Sequence, residues 1–134
     1  MSEVLTGSGA ESAEWPEDFF RQLLEDKAAE ARRQIERLTA DIREVTLAGR
    51  EIPADNEYDP EGSTLSLERA REEAMLSSTR AELAEVLEAI RRMVRGAYGT
   101  CERCGNRIPR VRLEARPEAR YCIACAGRRR REVA

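Results

Sequence analysis

All four cysteines of the chain lie in "CERCGNRIPRVRLEARPEARYCIAC", residues 101–125, as two CxxC pairs separated by 17 residues. A CxxC turn offers two thiolates from one tight loop, and a second pair completes a tetrahedron, the arrangement that Zn2+ takes in structural sites. Gly105 directly follows the second cysteine and permits the positive-φ backbone that such a turn commonly needs. "CIACAG" repeats the pattern with Ala126 and Gly127. Disulfides and redox thiols are the alternatives, but a redox site needs one CxxC, usually at a strand-to-helix junction, and no such junction is apparent. The expectation is one structural Zn2+ held by Cys101, Cys104, Cys122 and Cys125. Four protein ligands leave no open coordination position for a reacting water. With no histidine in the chain and no nucleophile–base constellation, the reading is a protein that is not an enzyme.

The elements that must carry this knot follow from composition. Of 134 residues, 37% are charged and only 4% aromatic, with a mean hydropathy of -0.63. Such a chain suits long exposed helices with a narrow apolar seam better than a thick core. Charge is unevenly spread: residues 1–100 carry 13 basic and 22 acidic side chains, whereas residues 101–134 carry 10 arginines and 4 glutamates. An acidic arm on a basic base is therefore expected. No long apolar run suggests a membrane span. The opening "MSEVLTGSGAESAEW" lacks the features of a secretory signal, so residues 1–15 read as a disordered tail. A reducing, cytoplasmic setting follows, in which paired CxxC motifs are more often metal ligands than disulfides.

From Glu17 to about Gly49 the apolar positions fall at Leu24, Ala28, Ala31, Ile35, Leu38, Ile42 and Val45, steps of four and three that make a heptad seam. A second run, from about Thr64 to Arg95, places Leu76, Thr79, Leu83, Val86, Ile90, Met93 and Ala97 in the same alternation. Its start is weak, because Arg69 and Glu72 fall on the seam. Pro16, Glu17 and Asp18 suit a helix start, and Gly49, Gly96 and Gly99 suit stops. Each stripe satisfies one partner helix and no more. The reading is mainly α: an antiparallel two-helix coiled-coil hairpin over 16–97, then a four-cysteine zinc finger with a short basic C-terminal helix over 98–134. Pairing between chains as a dimer is the alternative; the short connection and matched seams favour a monomeric hairpin.

That connection, "REIPADNEYDPEGST", residues 50–64, cannot be one helix, because Pro53, Pro60 and Gly62 interrupt it. Its acids oppose a single base, Arg50. A solvated acidic loop is the plain reading; an acidic tip that meets a basic group or a bound metal ion is the functional one, with Asp55, Glu57 and Asp59 as candidates. Around the knot, Arg107, Arg110, Arg112, Arg116 and Arg120, then Arg128, Arg129, Arg130 and Arg131, suit phosphate, an acidic protein surface, or charge compensation. Tyr98 and Tyr121 are the aromatics nearby, too few for a base-stacking platform.

"GAYGTCERCGNRIPRVRLEARPEARYCIACA", residues 96–126, resembles the four-cysteine zinc finger of the DksA/TraR family of bacterial transcription regulators. The likeness extends past the ligands to Tyr98-Gly99, Cys104-Gly105, Ile108-Pro109, Arg112-Leu113, Ala115, Pro117 and Ala119, and more loosely to the hairpin before it. The resemblance implies a protein that binds RNA polymerase directly. Its zinc end would dock at the rim of the secondary channel while the acidic tip reaches toward the active centre to modulate initiation. It also raises ppGpp as a co-ligand, held by basic residues of helix and finger; Arg91, Arg92 and Arg128 to Arg131 are the candidates here. The family's best-studied members carry D-x-x-D followed by Ala at the tip. The corresponding "PADNEYDPEG" holds Asp55, Glu57, Asp59 and Glu61 without that motif, so acidity carries over and individual roles do not.

Two rival readings stand beside it. GATA-type fingers share the CxxC–x17–CxxC spacing, but nine residues after Cys125 leave scant room for a reading helix and basic tail, and duplex phosphates would repel an acidic arm. Sequence-specific DNA binding is therefore not expected. A coiled-coil scaffold with a zinc cap is the other.

Overall fold

The computed structural model describes residues 16–50 and 60–133. Four helices follow one another: α1 Glu17–Arg50, α2 Pro60–Val94, α3 Arg110–Ala115 and α4 Ile123–Val133. Turns and an isolated antiparallel bridge, Thr100 to Arg107, join them among the described residues. No helix among the described residues is long and apolar enough to cross a membrane.

The ends of the two long helices have local causes. Pro16 precedes α1, and its carbonyl accepts the first helical bond from Phe20 N–H at 3.2 Å. Glu17 and Asp18 sit in the first turn, where carboxylates favour the positive end of the helix dipole. α2 stops in a Schellman motif: Ala97 N–H donates to the Arg92 carbonyl and Gly96 N–H to the Met93 carbonyl, with Gly96 at φ 78°. That left-handed position suits glycine because a Cβ would strain it.

Two boundaries differ from the sequence expectation. α1 runs through Gly49 to Arg50, since a glycine ends a helix only where the backbone turns left-handed, and otherwise merely weakens it. α2 begins at Pro60, ahead of Thr64; proline is tolerated at a first helical position, where its missing N–H has no partner to lose. The expected loop of 50–64 therefore cedes both ends to helix. The expected tail, residues 1–15, and the tip acids Asp55, Glu57 and Asp59 lie outside the described residues.

The chain divides into two compact units, so that described residues 16–28 and 85–133 form one and residues 29–50 and 60–84 the other. The expected boundary between hairpin and finger, at 97 and 98, falls inside the first. There the start of α1 lies beside the end of α2, as an antiparallel pair requires: Glu17 and Phe20 share a cavity wall with Met93. Phe20, Leu24, Ala28, Val86, Ala89, Met93, Ile108, Leu113 and Ala119 are its buried apolar residues. Phe20 stacks at a tilt on Tyr98, ring centroids 5.9 Å apart, and edge-on against Phe19 at 5.1 Å.

In the second unit the two helices meet along a thinner seam. Ala31, Leu38 and Thr79 are buried, and Ile35, Ile42, Val45, Leu76 and Leu83 are half-buried. Thr79 satisfies its hydroxyl by donating to the Met75 carbonyl at 2.9 Å. Glu72 occupies a seam position with its Oε1 out of solvent reach and unpaired. Its pKa is raised, by desolvation first and then by the charges of Asp41, Glu68 and Glu44.

Candidate metal centre

The two cysteine pairs are built by different local structures. For the first, the Thr100–Arg107 bridge folds the chain back on itself. Cys101 N–H donates to the Asn106 carbonyl at 2.8 Å, and Gly105 N–H to the Cys101 carbonyl at 3.0 Å. Gly105 has φ 79°, the left-handed position anticipated from its place after Cys104. The second pair opens α4: Cys122 precedes its first residue, and Ala126 N–H donates to the Cys122 carbonyl at 2.9 Å, which brings Cys125 round to the side of Cys122.

Three contacts bring the pairs together. Glu102 N–H donates to the Arg120 carbonyl at 2.9 Å, Arg112 Nε donates to the Tyr121 carbonyl at 2.8 Å, and α3 buries Leu113 completely. The four Sγ atoms all lie within 4.8 Å of one another, with Cys104 and Cys122 sulfurs 4.0 Å apart. A tetrahedron with Zn–S bonds of about 2.3 Å has edges of about 3.8 Å, so the sulfurs fit one zinc ion. All four cysteines are free thiols, with Cys101 and Cys125 buried and Cys104 exposed.

Local electrostatics divides the thiols. Burial pushes Cys101 up, but backbone N–H groups of Cys104, Cys122 and Arg103 aimed at its sulfur outweigh that and hold it at about 6. Burial, with hydrogen bonding to Cys122, Cys101 and Cys104, pushes Cys125 up to about 12. A bound zinc ion requires all four as thiolates. The cluster is thus positioned to coordinate one metal ion, in a closed site whose chemistry is structural.

The arginines sort into several uses. Arg92, expected as a docking cation, is enclosed at 2% exposure. Its Nη2 donates to the Glu118 and Ala119 carbonyls at 3.4 and 3.3 Å, and its Nε lies 3.8 Å from Glu102. It ties α2 to the loop before the second cysteine pair and is not available to a ligand. Desolvation lowers its pKa, and the Glu102 carboxylate works against that. Arg91 is exposed and pairs with Glu88. Arg128, also exposed, lies on α4. Arg129, Arg130 and Arg131 continue that helix, with side chains outside the described set. Arg120 bridges Glu85 at 2.6 Å and Glu102 at 3.3 Å, and Glu85 first among its partners raises its pKa.

Sequence reasoning missed a second set of anchors. Lys27 Nζ lies 2.8 Å from Glu118 Oε1, a carboxylate only 6% exposed. Tyr98 donates its hydroxyl to the Pro117 carbonyl at 2.8 Å, and burial raises its pKa. Lys27 and Glu118 are 91 positions apart, and no local pattern joins them. The burial of Arg92 had a faint signal, since it follows Ala89 by three residues and shares its helix face.

Residues 96–131 match the model of the prokaryotic dksA/traR C4-type zinc finger. The chain is 48% identical over 52 residues to an uncharacterized protein of Aquifex aeolicus (strain VF5), covering 39% of this chain and 36% of that protein. It is 33% identical over 92 residues to General stress protein 16O of Bacillus subtilis (strain 168), covering 69% of this chain and 53% of that protein. Among solved structures it is similar to transcription factor DksA2 from Pseudomonas aeruginosa, with TM-score 0.74, 29% identity, and coverage of 97% of this chain and 95% of that one. A finger of this type, its four sulfurs gathered for one metal ion, on a two-helix fold like that of DksA2: in finger and in fold the chain is similar to proteins of the DksA/TraR family.

Proposed function

We propose that this protein is a transcription factor that binds RNA polymerase directly and modulates initiation. The observation that carries the reading is the joint match of finger and fold: a four-cysteine cluster of the dksA/traR type within a chain similar over 97% of its length to a transcription factor. In this reading the finger docks at the rim of the secondary channel. The acidic segment between α1 and α2, with Asp55, Glu57 and Asp59, acts toward the active centre. Its role is regulatory, and the metal holds the docking surface in shape without entering any reaction.

Charge supports the division of labour. The first hundred residues are acidic and the last 34 basic, so a large partner with matching patches would orient the protein and speed its arrival. Such binding weakens as salt rises. Arg91, Arg128 and the three arginines that follow are the proposed basic contacts; Arg92 is not among them, since it is buried. ppGpp is a proposed co-ligand of the same basic surface.

The test is binding to core RNA polymerase by interferometry, paired with transcription in vitro, with and without ppGpp. Replacing Asp55, Glu57 and Asp59 together by alanine should leave binding nearly intact and abolish the effect on transcription. Loss of binding in that variant would make the acidic segment a docking contact. Failure of the unmodified zinc-loaded protein to bind polymerase, with a duplex-DNA gel shift in its place, would overturn the proposal.

A further inference from the structure

The two cysteine pairs are tied to each other and to α2 through Arg120, which stands two residues ahead of Cys122. Its carbonyl accepts from the Glu102 N–H at 2.9 Å, and Glu102 lies inside the first pair, between Cys101 and Cys104. The Arg120 guanidinium reaches the Glu102 carboxylate through Nη1, at 3.3 and 3.4 Å. The same guanidinium lays a fork on Glu85 of α2, with Nε at 2.6 Å and Nη2 at 3.4 Å. Glu102 also faces Arg92 Nε at 3.8 Å. Glu85 and Arg92 are two helical turns apart, about 10 Å along one face of α2, and both belong to the compact unit that holds the finger.

We infer that Glu85 and Arg120 are positioning residues of the metal site: through them α2 holds the two cysteine pairs at coordinating distance, and so sets how tightly the finger keeps its zinc. The physical reason is preorganisation. The pairs are separated by 17 residues, and drawing them together costs chain entropy that metal binding must offset unless the fold already holds them. The backbone bond between Glu102 and Arg120 leaves the guanidinium free to turn; the fork from Glu85 fixes it over the Glu102 carboxylate. A two-bond Arg–carboxylate pair within a group of charges is the geometry in which a partly exposed ion pair counts. Partners outside the ligand set tune metal affinity in this way.

The sign of the effect separates positioning from charge. Zinc with four thiolates carries a net double negative charge, which a nearby carboxylate repels. Acting through space, Glu85 would weaken zinc binding; acting through Arg120, it strengthens it. Linkage makes the second effect mutual, since zinc held more tightly by a docked α2 also keeps α2 docked.

The experiment measures zinc affinity of the full chain by competition with a chromophoric chelator, together with the visible spectrum of the Co2+-loaded protein. The Glu85 side chain is 47% exposed, so Glu85→Gln keeps the fold. It should loosen zinc about fivefold and speed its transfer to the chelator, while the four-thiolate Co2+ spectrum at saturation stays unchanged. Arg120→Gln should loosen zinc about tenfold, and adding Glu85→Gln to that variant should change nothing further. Amide exchange at residues 117–122 of the zinc-loaded protein should quicken in both single variants. Unchanged or tighter zinc binding by Glu85→Gln would overturn the proposal. So would loosening by Glu85→Gln that persists in the Arg120→Gln background, or a Co2+ spectrum that shows fewer than four thiolates in Glu85→Gln.

Discussion

Lys27→Met tests how the first helix is held to the finger. Lys27 Nζ stands 2.8 Å from Glu118 Oε1; the carboxylate is 6% exposed and the ammonium side chain 28%. Arg116, at 3.6 Å and largely exposed, is a second cation beside that carboxylate. Removing one partner of a fully buried pair costs about 3–5 kcal/mol, because a charge is left stranded, whereas exposed pairs contribute about 0–1 kcal/mol. Lys27 is partly solvated and Arg116 stays, so the substitution should cost about 2 kcal/mol. Methionine keeps the packing of the aliphatic stem, which confines the loss to charge. Glu118→Gln alone should cost about 1 kcal/mol, since its cationic partner can turn to water. The double variant should cost less than the two singles together, a coupling of about 1.5 kcal/mol. Urea titration of the zinc-loaded proteins by circular dichroism gives the totals, and hydrogen exchange at the start of α1 and at residues 117–120 gives the location. A Lys27→Met loss under about 0.5 kcal/mol, or singles that add within about 0.3–0.5 kcal/mol, would refute the reasoning.

Arg92→Ala should destabilise by about 2–4 kcal/mol through a cavity and two stranded carbonyls; Arg92→Met, which refills the space, should recover most of it by thermal melting. Tyr98→Phe loses a 2.8 Å hydrogen bond and should cost about 1 kcal/mol. Because the Tyr98 pKa is raised in the fold, its contribution is complete below about pH 10 and declines as pH rises above that, so the variant should flatten the alkaline limb of a stability–pH curve. Glu72→Gln should protect amides of residues 29–50 and 60–84 from exchange at pH 7. Desolvation and Asp41, Glu68 and Glu44 raise the Glu72 pKa, with Arg71 opposing; the wild-type contribution is therefore complete below the ordinary carboxyl pKa and lost as pH rises, and the gain should vanish in acid. Chelating the zinc should remove exchange protection at Cys101, Gly105, Ile108 and Ala126. Zinc titration of the stripped protein at pH 7 should release protons, measured with an indicator dye, because Cys125 is pushed up to about 12.

The ligands and the seam were legible because each is a local pattern. CxxC spacing and the glycine after it specify a turn within five residues, and alternation of four and three specifies a helix face. Leu24, Ala28, Leu38, Val86 and Met93 are buried where that alternation put them. Helix ends were less legible: whether Gly49 stops a helix or Pro60 starts one depends on which backbone conformation the following turn takes, and either residue accepts both.

By itself, then, the sequence determined the four sulfurs, the two long helices, the acid–base asymmetry and the glycines that turn the chain at Gly96 and Gly105. Only the tertiary structure decided which charges face inward. Arg92, Arg112 and Arg120 look like their neighbours in a run of arginines, yet they hold carbonyls and carboxylates of the finger and of α2, and Lys27 closes on a carboxylate 91 positions away. The physical reason is range. A turn or a helix stripe is encoded by residues a few positions apart, but a charge is worth burying only if a partner from a distant segment arrives to meet it, and no local pattern records that arrival.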